Sequence, residues 1–189
     1  MKSLVEKGVR HLWTHGIVLT AIETMLYIKD QLERPYYTRR VAATADSVGT
    51  DLKVNGPSRV TENTSLGDNV NFNGLRIGGG GTVRIGNNFH SGPDCLILTS
   101  NHNYDNGDKI PYDDTYIYKD VEINDNVWLG SRVTIAPGVT IGEGAIIQLG
   151  STVTHDIPKG AIAGGHPAKV FDYRDMEHYE QLKEAGEFH

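Results

Sequence analysis

His102 opens a polar stretch in which Asp105, Asp108, Asp113 and Asp114 follow closely. An imidazole of ordinary pKa, about 6.5, accepts a proton from a hydroxyl near neutral pH and can return it to a leaving group, so general base is the role this residue type suits. Of the other histidines, His11, His15, His178 and His189 lie in flanking segments and read as surface or packing residues, while His90 is placed to line an acceptor site. Cys95 is the only cysteine. A nucleophilic thiol requires an activating base, and no spacing supplies one, so it reads as a structural thiol. A lone cysteine excludes an intrachain disulfide framework and suits a reducing, cytoplasmic compartment.

The stretch that carries His102 interrupts a strict pattern. Val48, Val54, Val60, Leu66 and Phe72 recur every sixth residue; after the glycines of 78–81 the register resumes at Ile85, Ser91 and Ile97. It breaks between Ile97 and Val121, then returns at Ile123, Leu129, Ile135, Ile141, Ile147 and Val153. Neither the 3.6-residue period of a helix nor the two-residue period of a strand accounts for six. A coil of three short strands does, with every sixth side chain pointing into a triangular prism. About 15 hexads predict roughly five coils and about 24 Å of prism. Glycine after the aliphatic residue, as in IGEGAI and LGSRVT, is expected at corners that need positive φ. The interruption is too polar to continue the core and must protrude as a loop over about 99–118, where function is usually carried.

The whole chain has 189 residues, 38% hydrophobic, with 22 glycines and 8% aromatics, which suits one turn-rich domain. Its formal charge of -6 excludes a broad grip on nucleic acid and leaves only local phosphate contacts. The expected organisation is an N-terminal helical segment over 1–45, the prism over 46–170, and a polar C-terminal helix over 171–189. The uncharged stretch His11–Ile22 is too short to span a membrane. Val5, Val9, Leu12, Ile22, Met25 and Leu32 fall near one helical face, which predicts packing on the chain's own domain. The alternative is docking on a membrane's inner face or a lipid-linked substrate, using Trp13, Tyr27, Tyr36, Tyr37, Arg39 and Arg40.

The blocks NVWLGS (126–131), IAPGVTIGEG (135–144), VTHDIP (153–158) and AGGHPAK (163–169) resemble the hexapeptide-repeat acyltransferases, and among them the galactoside, maltose and surface-polysaccharide acetyltransferases. The resemblance covers about residues 48–174. It implies an all-β fold, a left-handed parallel β-helix, and an acetyl-CoA-dependent O-acetyltransferase acting on a hydroxyl of a polysaccharide or oligosaccharide building block. In TSNH (99–102) the histidine matches the family's catalytic base, which activates the acceptor for direct attack on the thioester. For acetyl-coenzyme A the resemblance implies Trp128 beside the thioester channel and Ser131 at the pantetheine end, its amide polarising the carbonyl. It places Leu149, Thr154 and His155 along the arm, and Lys169 at the nucleotide phosphates with Arg174 assisting. His155 stands where lysine is usual. Asn71, Asn73, His90, Asp94 and Tyr104 are of the types that bind sugar hydroxyls. A homotrimer with active sites between subunits is implied as well.

Three other readings compete. N-acetylation of a nucleotide-linked amino sugar is the alternative within acyl transfer. A γ-type carbonic anhydrase on the same prism requires three zinc-binding histidines with one close pair, which is missing, so no metal is expected. A non-catalytic scaffold would explain the prism but leave His102 and the basic C-terminal block without a role.

Overall fold

The computed structural model describes the backbone of residues 2–189 and the side chains of residues 16, 18–25 and 32–189. Helix α1 (Lys2–Thr44) leads into a parallel β-helix of about six turns, closed by helix α2 (Met176–Glu184).

Each turn lays one short strand on each of three faces, in the order A, B, C. Face A stacks β1 (Ser47–Val48), β3 (Thr64–Leu66), β6 (Val83–Ile85), β11 (Val121–Ile123) and β14 (Thr140–Ile141), extended by a bridge from Ile141 to Ile157. Face B stacks β2 (Lys53–Val54), β4 (Asn71–Asn73), β7 (His90–Pro93), β12 (Trp128–Leu129), β15 (Ile146–Ile147) and β17 (Ala161–Gly165), with β18 (Ala168–Tyr173) antiparallel at its end. Face C stacks β5 (Arg76–Gly78), β8 (Leu96–Leu98), β13 (Thr134–Ile135) and β16 (Thr152–Val153), with Arg59 bridging onto Arg76. Lys53 pairs with Asn71 and Trp128 with Ile146, each one coil of three hexads further on. The turn beyond the expected five is carried by Ile157, Ala161 and Ala163, all buried, and the small side chains of the two alanines hide the ladder in the sequence.

Thirteen of the fourteen ladder positions are buried; Val48 is only partly so. The sequence reading missed a second inward set two residues earlier in each hexad: Val70, Phe89, Cys95, Val127, Val133, Val139 and Ala145 are all buried. Phe72 and Phe89 meet edge-on between adjacent coils, ring centres 5.9 Å apart. Two inward residues per hexad let one narrow prism reach core density.

The corners correct the reading of the glycines. A Cβ on Gly130 would lie 2.5 Å from the Leu149 nitrogen, and one on Gly142 2.4 Å from the Lys159 nitrogen, so these glycines are required by the next coil's close approach. Positive φ falls two residues later, at Asn69, Asn88, Asn126, Arg132 and Gly144. Asparagine suits that conformation best among residues with a Cβ. Here it also bonds along the stack: Asn69 Nδ2 donates to Asn88 Oδ1 (3.1 Å), and Asn88 Nδ2 to Asn126 Oδ1 (2.9 Å).

Helix α1 departs from expectation. Among the described residues, its final turns meet the prism through buried Val41, half-buried Tyr37 and Thr38, whose hydroxyl accepts from the Val54 nitrogen (3.1 Å). Ile22, Met25 and Leu32 are exposed, so they do not pack on the chain's own domain. Val5, Val9, Leu12, Trp13 and Tyr27 lie outside the described side chains. Among the described residues, no helix is long and apolar enough to cross a membrane.

Candidate active site

The polar interruption leaves the corner between faces C and A as a hairpin, β9 (Ser100–His102) paired antiparallel with β10 (Tyr116–Tyr118). Buried Thr99 anchors its base, its hydroxyl donating to the Gly78 carbonyl and accepting from the Gly81 nitrogen. The tip is held by Asp113, whose carboxylate accepts from the Thr115 nitrogen and hydroxyl (2.8 and 2.6 Å). These bonds also hold the Asp113 carboxyl below its ordinary pKa.

His102 pairs in register with Tyr116. Its ring stacks on Tyr112, centres 3.8 Å apart, and leans on Tyr116 at 4.6 Å. Nδ1 is enclosed without a hydrogen-bond partner in the single chain. None of Asp105, Asp108, Asp113 and Asp114 hydrogen-bonds it, and Tyr104 is an exposed residue further along the loop.

The remaining expected residues fall into separate groups. Ser131 and Leu149 occupy successive coils of the corner between faces B and C, and Lys169, paired with Gly164 on β18, continues that column above them. Thr154 and His155 stand on the C–A corner, the corner that carries His102, with the Thr154 hydroxyl 2.9 Å from His155 Nδ1. Arg174 is not beside Lys169. It lies at the opposite end of β18, on the A–B corner, where Nε donates to the Gly144 carbonyl (2.6 Å). The two are five residue steps apart along the extended chain, about 17 Å.

Asn71, His90 and Trp128 are register neighbours in one outward row on face B. Asn71 and Asn73 both accept from the Asn55 amide (2.8 and 3.0 Å). Asp94 has positive φ on the B–C corner and faces Arg132 at 3.8 Å across solvent. Burial lowers the His90 pKa, outweighing a hydrogen bond to the His189 backbone that raises it. Its Nε2 is enclosed without a partner. Cys95 is buried with Sγ 3.2 Å from the Gly130 carbonyl, and burial pushes its thiol up, away from the reactive thiolate. Among the described residues no group of His, Cys, Asp and Glu could hold a metal ion.

The polar C-terminal helix expected over 171–189 is present as α2, but the sequence reading did not foresee how it is held against the prism. Asp175 caps α2 by accepting from the His178 nitrogen (3.1 Å). No residue of α2 is buried, and a polar clamp holds the helix against the A–B corner. Tyr179 donates to Glu143 (3.0 Å) and accepts from Asn126 (2.8 Å), Lys159 bridges Glu143 and Glu180 (3.1 and 2.7 Å), and Lys183 pairs with Glu143. Burial would raise the Glu143 carboxyl, but the bonds from Lys183, Lys159 and Tyr179 outweigh it and bring it down to about 2. Beyond the helix, the His189 ring stacks on His90 at 5.2 Å, and the His189 carbonyl accepts from Asn69 (2.8 Å).

The profile of the bacterial transferase hexapeptide family (six repeats) matches residues 114–155. A galactoside acetyltransferase solved in complex with coenzyme A is 31% identical, over 74% of this chain and 70% of its own, with a TM-score of 0.64. The chain belongs to the hexapeptide-repeat acyltransferases. A hexapeptide-repeat acetyltransferase of Vibrio cholerae complexed with acetyl-coenzyme A is 26% identical, over 70% of this chain and 73% of its own, with a TM-score of 0.58. A maltose O-acetyltransferase of Clostridium difficile is 29% identical, over 67% and 65%, with a TM-score of 0.53. A search of curated protein sequences found no match.

Proposed function

We propose that the protein transfers the acetyl group of acetyl-coenzyme A to a hydroxyl of a sugar, in a unit used to build a polysaccharide or oligosaccharide. The observation that carries the reading is His102, presented on the hairpin at the level of the third and fourth coils, its ring held by two tyrosines and its Nδ1 enclosed without a partner. His102 takes the proton of the attacking hydroxyl as its oxygen bonds to the thioester carbonyl carbon. The Ser131 amide stabilises the developing oxyanion, and His102 returns the proton as the carbon–sulfur bond breaks and the thiol leaves.

The column Ser131, Leu149 and Lys169 runs along the prism axis, rising one strand spacing of about 4.8 Å per coil, which suits an extended pantetheine arm with Lys169 at its phosphates. His102, Thr154 and His155 lie on another corner of the same prism, with face C between. Prisms set side by side about a parallel three-fold axis keep coil heights matched, so the His102 corner of one copy meets the Ser131 corner of the next. A head-to-tail contact of this kind forms a closed ring when its rotation closes. The proposed working form is a homotrimer, as the family resemblance implies, with each site shared between two copies, in the cytoplasm.

The test is thiol release from acetyl-coenzyme A with a panel of sugars, nucleotide-linked amino sugars and capsule-type oligosaccharides. His102→Ala is expected to lower turnover about 10²- to 10⁴-fold with the assembly intact by light scattering. Wild-type turnover in that variant would remove His102 from the mechanism. Acetylation of amino sugars alone would replace the O-acetyl reading with the N-acetyl one.

A further inference from the structure

The end of α1 and the first coil of the prism enclose a cleft of about 410 Å³. Arg34, Pro35, Thr38 and Arg39 form its helical wall, two i,i+4 pairs on one face, and Lys53 and Asn55 line the opposite wall from β2 and the residue after it. The joint is fixed on both sides. The Thr38 hydroxyl accepts from the Val54 nitrogen (3.1 Å), Val41 one turn on is buried, and the Asn55 amide donates to Asn71 and Asn73. Three cations therefore line one cleft with no acidic residue among its walls, in a chain whose net charge is -6. Like charges gathered this way repel, and an anion between them removes that cost. Among the described residues, Arg39 and Lys53 have no carboxylate partner. Compensation of the helix dipole does not account for Arg34 and Arg39, because that effect is confined to the last turn and α1 has no basic residue there.

We infer that this cleft is a binding site for a phosphate group, carried on a soluble ester or on a lipid headgroup, with Arg39, Lys53 and Arg34 as its cations. A carboxylate occupies one guanidinium fork, whereas the double charge and three outer oxygens of a phosphate engage two cations and a hydroxyl together. Thr38 suits that third contact: its oxygen is used by Val54 and its proton is left to donate. An adjoining cleft shares Arg39 and is bordered by exposed Leu32 and Tyr36, so an apolar surface lies beside the cations, as a lipid-borne phosphate requires. Lys53 lies three strands below Trp128 in the face B stack, about 14 Å, and Lys169 lies beyond Trp128 toward the other end of the prism. The cleft is therefore separate from the acetyl-transfer site, and the inference stands without that reading.

The experiment uses the full chain and four variants: Arg39→Gln, Lys53→Gln, Arg84→Gln and Lys169→Gln. Arg84→Gln makes the same charge change on exposed face A, and Lys169→Gln alters the basic residue at the far end. Each protein is titrated calorimetrically with inorganic pyrophosphate and sedimented with phosphatidylcholine vesicles with and without phosphatidylglycerol. Arg39→Gln and Lys53→Gln are each expected to weaken binding about fivefold or more, with Arg84→Gln and Lys169→Gln within about twofold of wild type. Pyrophosphate bound in solution identifies a soluble ester as the source. Binding to phosphatidylglycerol vesicles without it identifies the headgroup. No binding of either probe by the full chain, an equal loss in Arg84→Gln, or a loss in Lys169→Gln in place of Arg39→Gln would each overturn the site.

Discussion

Among the described residues, the two helices that flank the prism bury only Val41, yet they join it in opposite ways. Among its described side chains, helix α1 is exposed over 18–25 and meets the prism near its end, through Val41, Tyr37 and Thr38. Helix α2 is short, equally without buried residues, and tied along its length through Tyr179, Lys183 and Glu180 to Glu143 and Lys159. Apolar burial therefore does not tell which appendage is set in a defined place on the prism. Polar partners on the prism corner do, because a hydrogen-bonded clamp fixes direction and register where apolar contact alone leaves both free.

The sharpest break of this comparison is one that removes the prism both helices depend on. Phe72→Ala, which empties a fully buried position against Phe89, is expected to cost about 3–5 kcal/mol by denaturant unfolding. A loss well under that would mean the coils relax around the gap. Next comes the joint of α1: Val41→Ala is expected to cost about 2 kcal/mol, whereas Met25→Asp, on the exposed part of the same helix, stays within about 0.5 kcal/mol of wild type. Equal effects at the two positions would show that α1 is supported along its length.

The clamp gives the smallest change in global stability and the clearest local one. Glu143→Gln is expected to speed amide hydrogen exchange in α2 about tenfold and leave the prism unchanged. Glu143 titrates at about 2 in the folded chain against an ordinary 4.5, so its contribution is fully present above the ordinary value and is lost as pH falls through the folded one. Protection of the α2 amides, taken relative to their intrinsic exchange rate at each pH, should therefore fall between pH 4.5 and 2 in wild type and change little in Glu143→Gln. A wild-type α2 indifferent to pH in that window would show that the helix is held by something other than the clamp.

Much of this was legible in the residues. The six-residue ladder announces the prism because each rung repeats in the same environment, and the polar run after Ile97 announces the hairpin because it cannot fill a core. The last coil escaped because alanine at 161 and 163 fills the narrowing end as well as larger residues fill the middle. The glycines at 130 and 142 were visible, but their reason was not: a contact with the backbone of the next coil has no trace in local sequence. Arg174 was expected to assist Lys169, but an extended strand places it at the opposite end of β18, on the A–B corner.

By itself the sequence determined the period, the direction of the side chains that fill the prism, and the place where the repeat gives way to a protruding histidine. These follow from local geometry repeated many times. Only the tertiary structure decided which corner each polar residue occupies, that His90 and Trp128 share a row, and that the C-terminal segment returns to face them. Those relations depend on how successive coils stack and on hydrogen bonds between residues far apart in the chain, such as Asn126 with Tyr179 and Asn69 with His189. No repeat encodes them, because each is made once.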